Sequence, residues 1–497
     1  MPEPRKAAAP APAITEEQKT GNLLDRIVAE GRFSDESRGK ALIKELLSQL
    51  STREMKVSKD TDTDTALSAR IAQIDKMISD QVNQILHHQD FKKLEASWRG
   101  LRYLLDQSET SERLKIKVLN VTKRELLRDL QRAPEFDQSA LFKKVYEEEF
   151  GVFGGAPFGA LVGDFEFGRI GEDVELLEKI SQVAAAAHAP FISAAAPEML
   201  NLKEDFTALG GFTDIGRAFD STEYARWKAF RSSEDSRYVG LVMPRVLLRL
   251  PYATGVRTIE EFNYEEGVDG RTHKQYLWGN AAYALAAKLT IAFGKFGWCA
   301  AIRGVEGGGL VEDLPTHTFR TEKGDVAMKC PTEVAITDRR EKELAEQGLI
   351  ALVHRKNTSE AAFFSVQSCN KPKVDYNLDS ANANARLSAQ LPYILAMSRF
   401  AHYLKAMMRD KLGSFISRTD CQRFLNNWIS QYVTADDTAT QSVKAQHPLR
   451  EAHIEVDEVP GKPGVYRATA FLRPHFQLDE LTGSLRLVAE LPESVRK

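Results

Sequence analysis

Cysteine is scarce in this chain of 497 residues, and Cys299, Cys330, Cys369 and Cys421 stand far apart. No two form a Cys-x-x-Cys pair and no histidine lies at ligand spacing, so neither a zinc site nor a disulfide framework is indicated, and a reducing, cytoplasmic compartment fits. An excess of charge is missing too. The 67 basic and 70 acidic residues leave a formal net charge of −3, which argues against a partner held by bulk charge, nucleic acid above all. Long apolar runs are also lacking. The opening stretch MPEPRKAAAPAPAITEEQK has no apolar core of signal-peptide length. The most apolar segment, 281–302, contains Lys288, Lys295, Gly294 and Gly297, which suits a buried helix better than a membrane span.

The motifs of catalysis are equally thin. Gly304-Val-Glu-Gly-Gly-Gly-Leu310 is the densest glycine cluster, but it lacks the Gly-Lys-Ser/Thr ending of a phosphate-cradling loop and reads as a flexible loop. Asp164-Phe-Glu-Phe-Gly168 has no His-Arg-Asp loop to accompany it as a kinase metal site. His87 and His88 are sequence neighbours, so on a helix they point about 100° apart and do not clamp one metal. Glu260, Glu261, Glu265 and Glu266 offer a carboxylate pair in principle, although a solvated face is the commoner use of such a run. No Gly-x-Ser-x-Gly elbow is present. No catalytic, cofactor or metal residue is therefore singled out. A cytoplasmic α/β enzyme with a site assembled from scattered acids and histidines stays open as the competing reading.

What the chain does contain is a change of rhythm along its length. An Ala/Pro-rich tail over 1–20 buries too little apolar surface to order itself. A helical region follows over 21–110. Asn22 caps a short helix whose Leu23, Leu24, Ile27 and Val28 share a face, and Gly31 stops it. A second helix covers 34–50. Leu67, Ile71, Ile74, Ile78, Val82 and Ile85 then recur at steps of three and four over about six turns and run towards 91–105, where Trp98, Leu101, Leu104 and Leu105 are expected in the core. From 111 to 375 the pattern becomes α/β: strands at 114–121, 159–165, 191–195 and 238–243 with helices at 123–131, 140–150 and 173–187, then a second α/β or α+β region over 332–367. The last region, 376–497, has a helix over 378–412 that Pro392 kinks or restarts, another over 418–433, and a small terminal sheet. The fold class is mixed α/β and α+β, in several domains.

That terminal sheet is the most informative stretch. Ala452, Ile454 and Val456 alternate with polar residues, Pro460-Gly-Lys-Pro-Gly464 turns the chain, and Tyr466, Ala468, Ala470 and Leu472 alternate again, which predicts a hairpin. Pro474 ends it. A third alternating run places Leu485, Leu487, Ala489 and Leu491 on one face at the terminus. Such a strand folds back on its own hairpin or is donated to another subunit, and pattern alone favours the first.

Several stretches together resemble the large sheath subunit of the type VI secretion system, the TssC/VipB family. They are 74–87, the Leu-Glu-x-x-Trp-Arg-Gly-Leu run inside 91–105, Ser221-Thr-Glu-Tyr-Ala-Arg-Trp-Lys-Ala-Phe-Arg231 with 238–252, and Phe471-Leu-Arg-Pro-His475. The resemblance runs from about Leu23 to the terminus. It implies a contractile tail-sheath-like fold, a structural role without catalysis or cofactor, and partners: a small sheath subunit (TssB/VipA), the Hcp tube, the disassembly ATPase ClpV, baseplate components and further copies of itself in a helical polymer. It also implies a bacterial cytoplasmic location within a membrane-anchored assembly, with no nucleic acid and no direct membrane insertion. Leu23, Leu24, Asp25, Ile27 and Val28 resemble the segment ClpV recognises after contraction. The resemblance reverses the balance at the terminus, making Leu485, Leu487, Ala489 and Leu491 a donated strand and Ile454, Val456, Ala468, Ala470 and Leu472 its host hairpin.

Overall fold

The computed structural model describes residues 36–51, 63–212, 214–252, 262, 264–321, 324–373, 379–411, 417–436, 438–458, 466–475 and 477. Leu23, Leu24, Asp25, Ile27, Val28, Leu485, Leu487, Ala489 and Leu491 lie outside these residues, as do Glu260 and Glu261. The contacts divide the chain into two units, residues 1–81 with 259–264 and residues 82–258 with 265–497.

The first unit contributes helix α1 (Glu36–Ser51) and most of α2 (Thr63–Leu86). Twenty-four residues with neither glycine nor proline give α2 nothing to break it. Its periodic apolar stripe is uncovered: Ile71, Ile74 and Ile78 are exposed.

The second unit is built on a sheet that both sides bury. Strands β1 (Leu161–Phe167), β2 (Phe191–Ala195) and β3 (Val239–Met243) are parallel neighbours. After β4 (Leu310–Val311), β5 (Leu349–His354) pairs parallel with β3, and β6 (Ala361–Phe363) is antiparallel to β5 and to β4. The sheet order is β1-β2-β3-β5-β6-β4. The stretch over 332–367 is thus no second region. It supplies two strands of the same sheet, because β5 is apolar on both faces and needs a central place.

Alternate residues go to opposite cores, as the two-residue strand period requires. Val239, Leu241, Met243, Leu349 and Ala351 join one core with helix α5 (Gly171–Ala187), which buries Val174, Leu177, Ile180 and Val183. Val242, Ile350 and Leu352 join the other with helix α7 (Ala282–Phe296), which buries Leu285 and Leu289. The segment 281–302 is therefore a buried helix, closed at Gly297, whose φ of 77° is the left-handed conformation that glycine adopts most readily. The strand expected over 114–121 is absent. That segment belongs to no helix and pairs with no strand among the described residues, and Val118 and Leu119 are exposed.

Helix α3 (Gln89–Asp106) lies against α7, and α4 (Lys123–Arg132) starts from a capping box between Thr122 and Glu125. Helix α6 (Ala225–Ser232) carries Trp227 and Phe230 into the first core. Arg231 of α6 donates to the carbonyls of Glu346 (2.7 Å) and Cys369 (3.0 Å), tying it to the end of α8 (Asp338–Glu346). Beyond the sheet, α9 (Asp379–Ser388) stops and α10 (Leu391–Asp410) starts afresh with Pro392 in its first turn. Helix α11 (Arg418–Ile429) then packs under the hairpin of β7 (Leu449–Glu458) and β8 (Tyr466–Pro474).

Candidate assembly surfaces

The hairpin forms where the alternation places it. Ile454 faces Ala470, Val456 faces Ala468 and Ala452 faces Leu472 across the ladder. The two strands are covered unequally. Ile454 and Val456 are fully buried on Leu425 and Ile429 of α11, beside Trp298 and Phe400, whereas Ala470 and Leu472 are half-buried and Ala468 is exposed.

The edges differ as well. On the outer side of β7, the Asn426 amide donates to the Ile454 carbonyl (2.7 Å) and accepts from the Ile454 N–H (2.9 Å). A side chain thus occupies the place where another strand's backbone would bond. Strand β8 has no second strand beside it among the described residues, so its outer edge is the one that takes a strand without displacing Asn426. Past Pro474 the chain is pinned, with the Tyr393 hydroxyl donating to the His475 carbonyl (2.9 Å) and accepting from the Gln477 N–H (3.0 Å).

A second surface centres on α3. Its inner side is fixed by charge and shape. Glu95 accepts from Arg249 and Arg99, each at 2.7 Å, and Arg249 reaches Glu266 at 2.5 Å. Glu266 also meets His87 at 3.0 Å and accepts the Tyr252 N–H at 3.0 Å. Burial pushes the Glu266 carboxyl up, but Arg249 and these hydrogen bonds outweigh it and hold it below the usual carboxylate range. Of the two described residues of the acidic run, Glu265 faces solvent while Glu266 anchors α3. One turn along, Gly100 sits so close to Tyr283 of α7 that a Cβ there would lie 2.4 Å from the ring. Leu104 is buried behind it.

The outer side of α3 reverses the sequence expectation for two residues. Trp98 is 66% and Leu105 42% exposed, and Phe91 and Leu94 complete an uncovered apolar stripe that Ile85 of α2 precedes. Periodicity identifies such a stripe but not what covers it. Between α3, the loop over 112–122 and the edge strand β1 runs a groove of about 2050 Å³. Val162 of β1 is exposed, and among the described residues β1 has a neighbouring strand on one side only.

The remaining sequence candidates have structural roles. Asp164-Phe-Glu-Phe-Gly168 is largely strand β1, and Asp173 accepts the Gly168 N–H at 2.7 Å to start α5. The glycine cluster is a tight turn closed by Gly309 N–H on the Gly304 carbonyl (2.8 Å), with φ of 90° at Gly308, where a Cβ would meet the Ala301 carbonyl oxygen at 2.4 Å. No group of three or more metal-ligating side chains occurs among the described residues, and no described helix is long and apolar enough to cross a membrane.

Residues 68–370 match the VipB family, described as the EvpB/VC_A0108 tail sheath N-terminal domain, and residues 380–491 match its gpW/gp25-like domain. The chain belongs to the VipB tail sheath family. A curated relative, the type VI secretion system sheath protein TssC1 of Pseudomonas aeruginosa, is 50% identical over 436 residues, 87% of each chain. Among solved structures, the anti-feeding prophage baseplate is similar at 10% identity and a TM-score of 0.38, covering 79% of this chain and 86% of that one. The sheath of an extracellular contractile injection system in its contracted state follows at 8% identity and a TM-score of 0.34, covering 64% and 68%. As a member of a sheath family, the chain has a structural role.

Proposed function

We propose that the chain is the large subunit of a type VI secretion sheath, pairing with the small subunit (TssB/VipA), polymerising around an Hcp tube on a baseplate, and driving the tube outward on contraction. The family match over 68–370 and 380–491 carries this reading. Contraction needs two packings of the same subunits and a tether that survives the change between them. A strand carrying Leu485, Leu487, Ala489 and Leu491, donated to the β8 edge of a neighbour, is such a tether, because main-chain hydrogen bonds hold while outer faces slide. The uncovered stripe on α3, the groove and the β1 edge are the seat of the small subunit. Both the segment 114–121, which pairs with no strand among the described residues, and the apolar α3 face, which no described residue covers, call for another chain.

The sheath works in the bacterial cytoplasm, as part of an assembly anchored to the membrane by other components. Its disassembly by ClpV starts at Leu23, Leu24, Asp25, Ile27 and Val28. Leu23→Asp with Leu24→Asp removes apolar burial of about 1.5 to 3 kcal/mol per side chain. A titration of the N-terminal peptide against the ATPase is expected to lose most of its affinity, and unchanged binding would refute the assignment. The function itself is tested by co-expression with the small subunit and electron microscopy of the lysate. Hollow tubules are expected; discrete soluble particles under several salt conditions would overturn the sheath reading.

A further inference from the structure

Helix α7 buries a cation that the fold leaves unmatched. Arg231, Arg249 and Arg303 are also buried, and each donates to an acceptor: the Cys369 carbonyl, the Glu266 carboxylate and the Gln390 amide. Lys288 is 8% exposed, yet no acceptor or carboxylate meets its ammonium among the described residues. A buried charge without a partner is costly, and an anion brought to it would remove that cost. Burial pushes the Lys288 ammonium down, with the charge of the solvent-facing Glu312 opposing and that of Lys295 assisting.

Lys288 lines a cavity of about 300 Å³. The sequence of α7 turns a whole stripe to it, because Lys288, Ile291, Ala292 and Lys295 recur at helical steps and all four line the cavity. Lys444, on the short helix Gln441–Gln446, brings a third lysine to the wall. Glu306 of the glycine turn is the acid among the described lining residues, and it is exposed. Gly307 of the same turn has open space where a Cβ would stand, so backbone bounds the cavity there. Phe296 and Tyr393 make the wall apolar elsewhere, and it closes on Pro474, His475 and Gln477, where the chain leaves β8. The Gln477 amide donates to the Ala300 carbonyl at 3.1 Å and holds that end in place.

We propose that this cavity binds a small phosphate monoester, with Lys288, Lys295 and Lys444 around the phosphoryl group and Ile291, Phe296 and Tyr393 against the organic body. The charges match. Three ammoniums against the Glu306 carboxylate leave about two positive charges, and a phosphoryl group carries about −1.5 to −2 on three acceptor oxygens. Lysine binds phosphate as a point charge on a flexible stem, so three of them converge without the fixed fork that arginine imposes. Size points the same way. About 300 Å³ is the lower end of small-molecule sites and leaves room beside a phosphoryl group for an apolar body. Because Pro474, His475 and Gln477 share the wall, a bound monoester ties α7 to the segment that leads out of the hairpin.

The probe is phenyl phosphate, titrated by calorimetry into the native full-length chain at fixed ionic strength, beside inorganic phosphate and phenol. Phenyl phosphate is expected to bind at one site, phosphate more weakly and phenol not at all. Lys288→Met keeps the apolar stem and removes an unpaired buried charge, so it is expected to fold and to lose about tenfold to a hundredfold in affinity. Lys295→Met changes an exposed position, is expected to fold in any case, and weakens binding by a smaller factor. Phenyl phosphate that fails to bind at about 10 mM overturns the site, and so does unchanged affinity in either variant. Inorganic phosphate that binds as tightly as phenyl phosphate overturns the monoester and makes the free ion the ligand.

Discussion

At the scale of single residues, burial has its clearest consequence at His402. Its Nε2 donates to the Ala187 carbonyl at 2.9 Å, its ring packs edge-on against Phe150 at 4.9 Å, and Lys405 lies over the same Phe150 ring at 3.6 Å. Burial first, with the charges of Arg399 and Lys405 assisting, pushes the His402 imidazole down to about 4. The neighbouring His188 is lowered in the same direction. The folded chain thus binds this proton less readily than the unfolded chain, whose histidine titrates near 6.5. The stability His402 contributes is complete above about pH 6.5 and is lost as the pH falls towards 4, by about 3 kcal/mol in all. Denaturant midpoints at neutral pH and near pH 4.5 measure it. His402→Gln, whose amide can still donate to Ala187, is expected to narrow the difference between the two pH values relative to the unaltered chain; an equal difference in both proteins would place the acid sensitivity elsewhere.

At the scale of elements, α3 is a helix with two different duties on its two sides. Gly100 is required by Tyr283, so Gly100→Val drives a branched side chain into the ring and is expected to destabilise the fold by about 1 to 3 kcal/mol. Trp98 is two-thirds exposed, so Trp98→Ser is expected to change the stability of the isolated chain by no more than about 0.5 kcal/mol. The same substitution is expected to weaken binding of the small subunit by about 2 kcal/mol or more, the loss expected of an aromatic anchor. A thermal melt beside a binding titration separates the two effects, and a Trp98→Ser chain that binds normally removes α3 from the proposed interface. This division also explains what could be read from the sequence. Phe191–Ala195 and Val239–Met243 are legible as strands because their apolar runs meet the chain's own helices on both faces. The hairpin is legible for the same reason, since Ile454 and Val456 meet α11. The stretch 114–121 has the alternation of a strand and Trp98 the spacing of a core residue, yet alternation and spacing report only that a face is apolar. Whether the chain itself or a second chain covers that face is not encoded in either pattern. Asn426 was illegible for another reason: its bonds to Ile454 join residues twenty-eight apart, and no local signal marks an asparagine as a strand mimic.

At the scale of the whole molecule, the question is what keeps neighbouring subunits joined while their packing changes. On the proposed reading, side-chain contacts between sliding faces are replaced on contraction, whereas a strand added to β8 would hold through backbone groups whose bonds do not depend on which faces meet. Each such bond contributes about 0.5 to 1.5 kcal/mol net, so a strand of this kind adds several kcal/mol per junction, and a helical polymer multiplies the junctions. On the proposed reading the hairpin would receive it on one side. Ile454 of β7 already bonds to Asn426, while Ala468, Ala470 and Leu472 of β8 are left partly uncovered on the face that an added strand would extend. Removing residues 484–497 deletes Leu485, Leu487, Ala489 and Leu491 without touching the hairpin, its helix α11 or the α3 surface. The truncated chain is therefore expected to fold, to co-purify with the small subunit, and to yield discrete pairs in place of tubules under the electron microscope. Tubules of normal length from that chain would end the donated-strand account and transfer the cohesion of the lattice to the α3, groove and β1 surfaces, where Trp98→Ser would then be expected to abolish polymerisation as well as pairing.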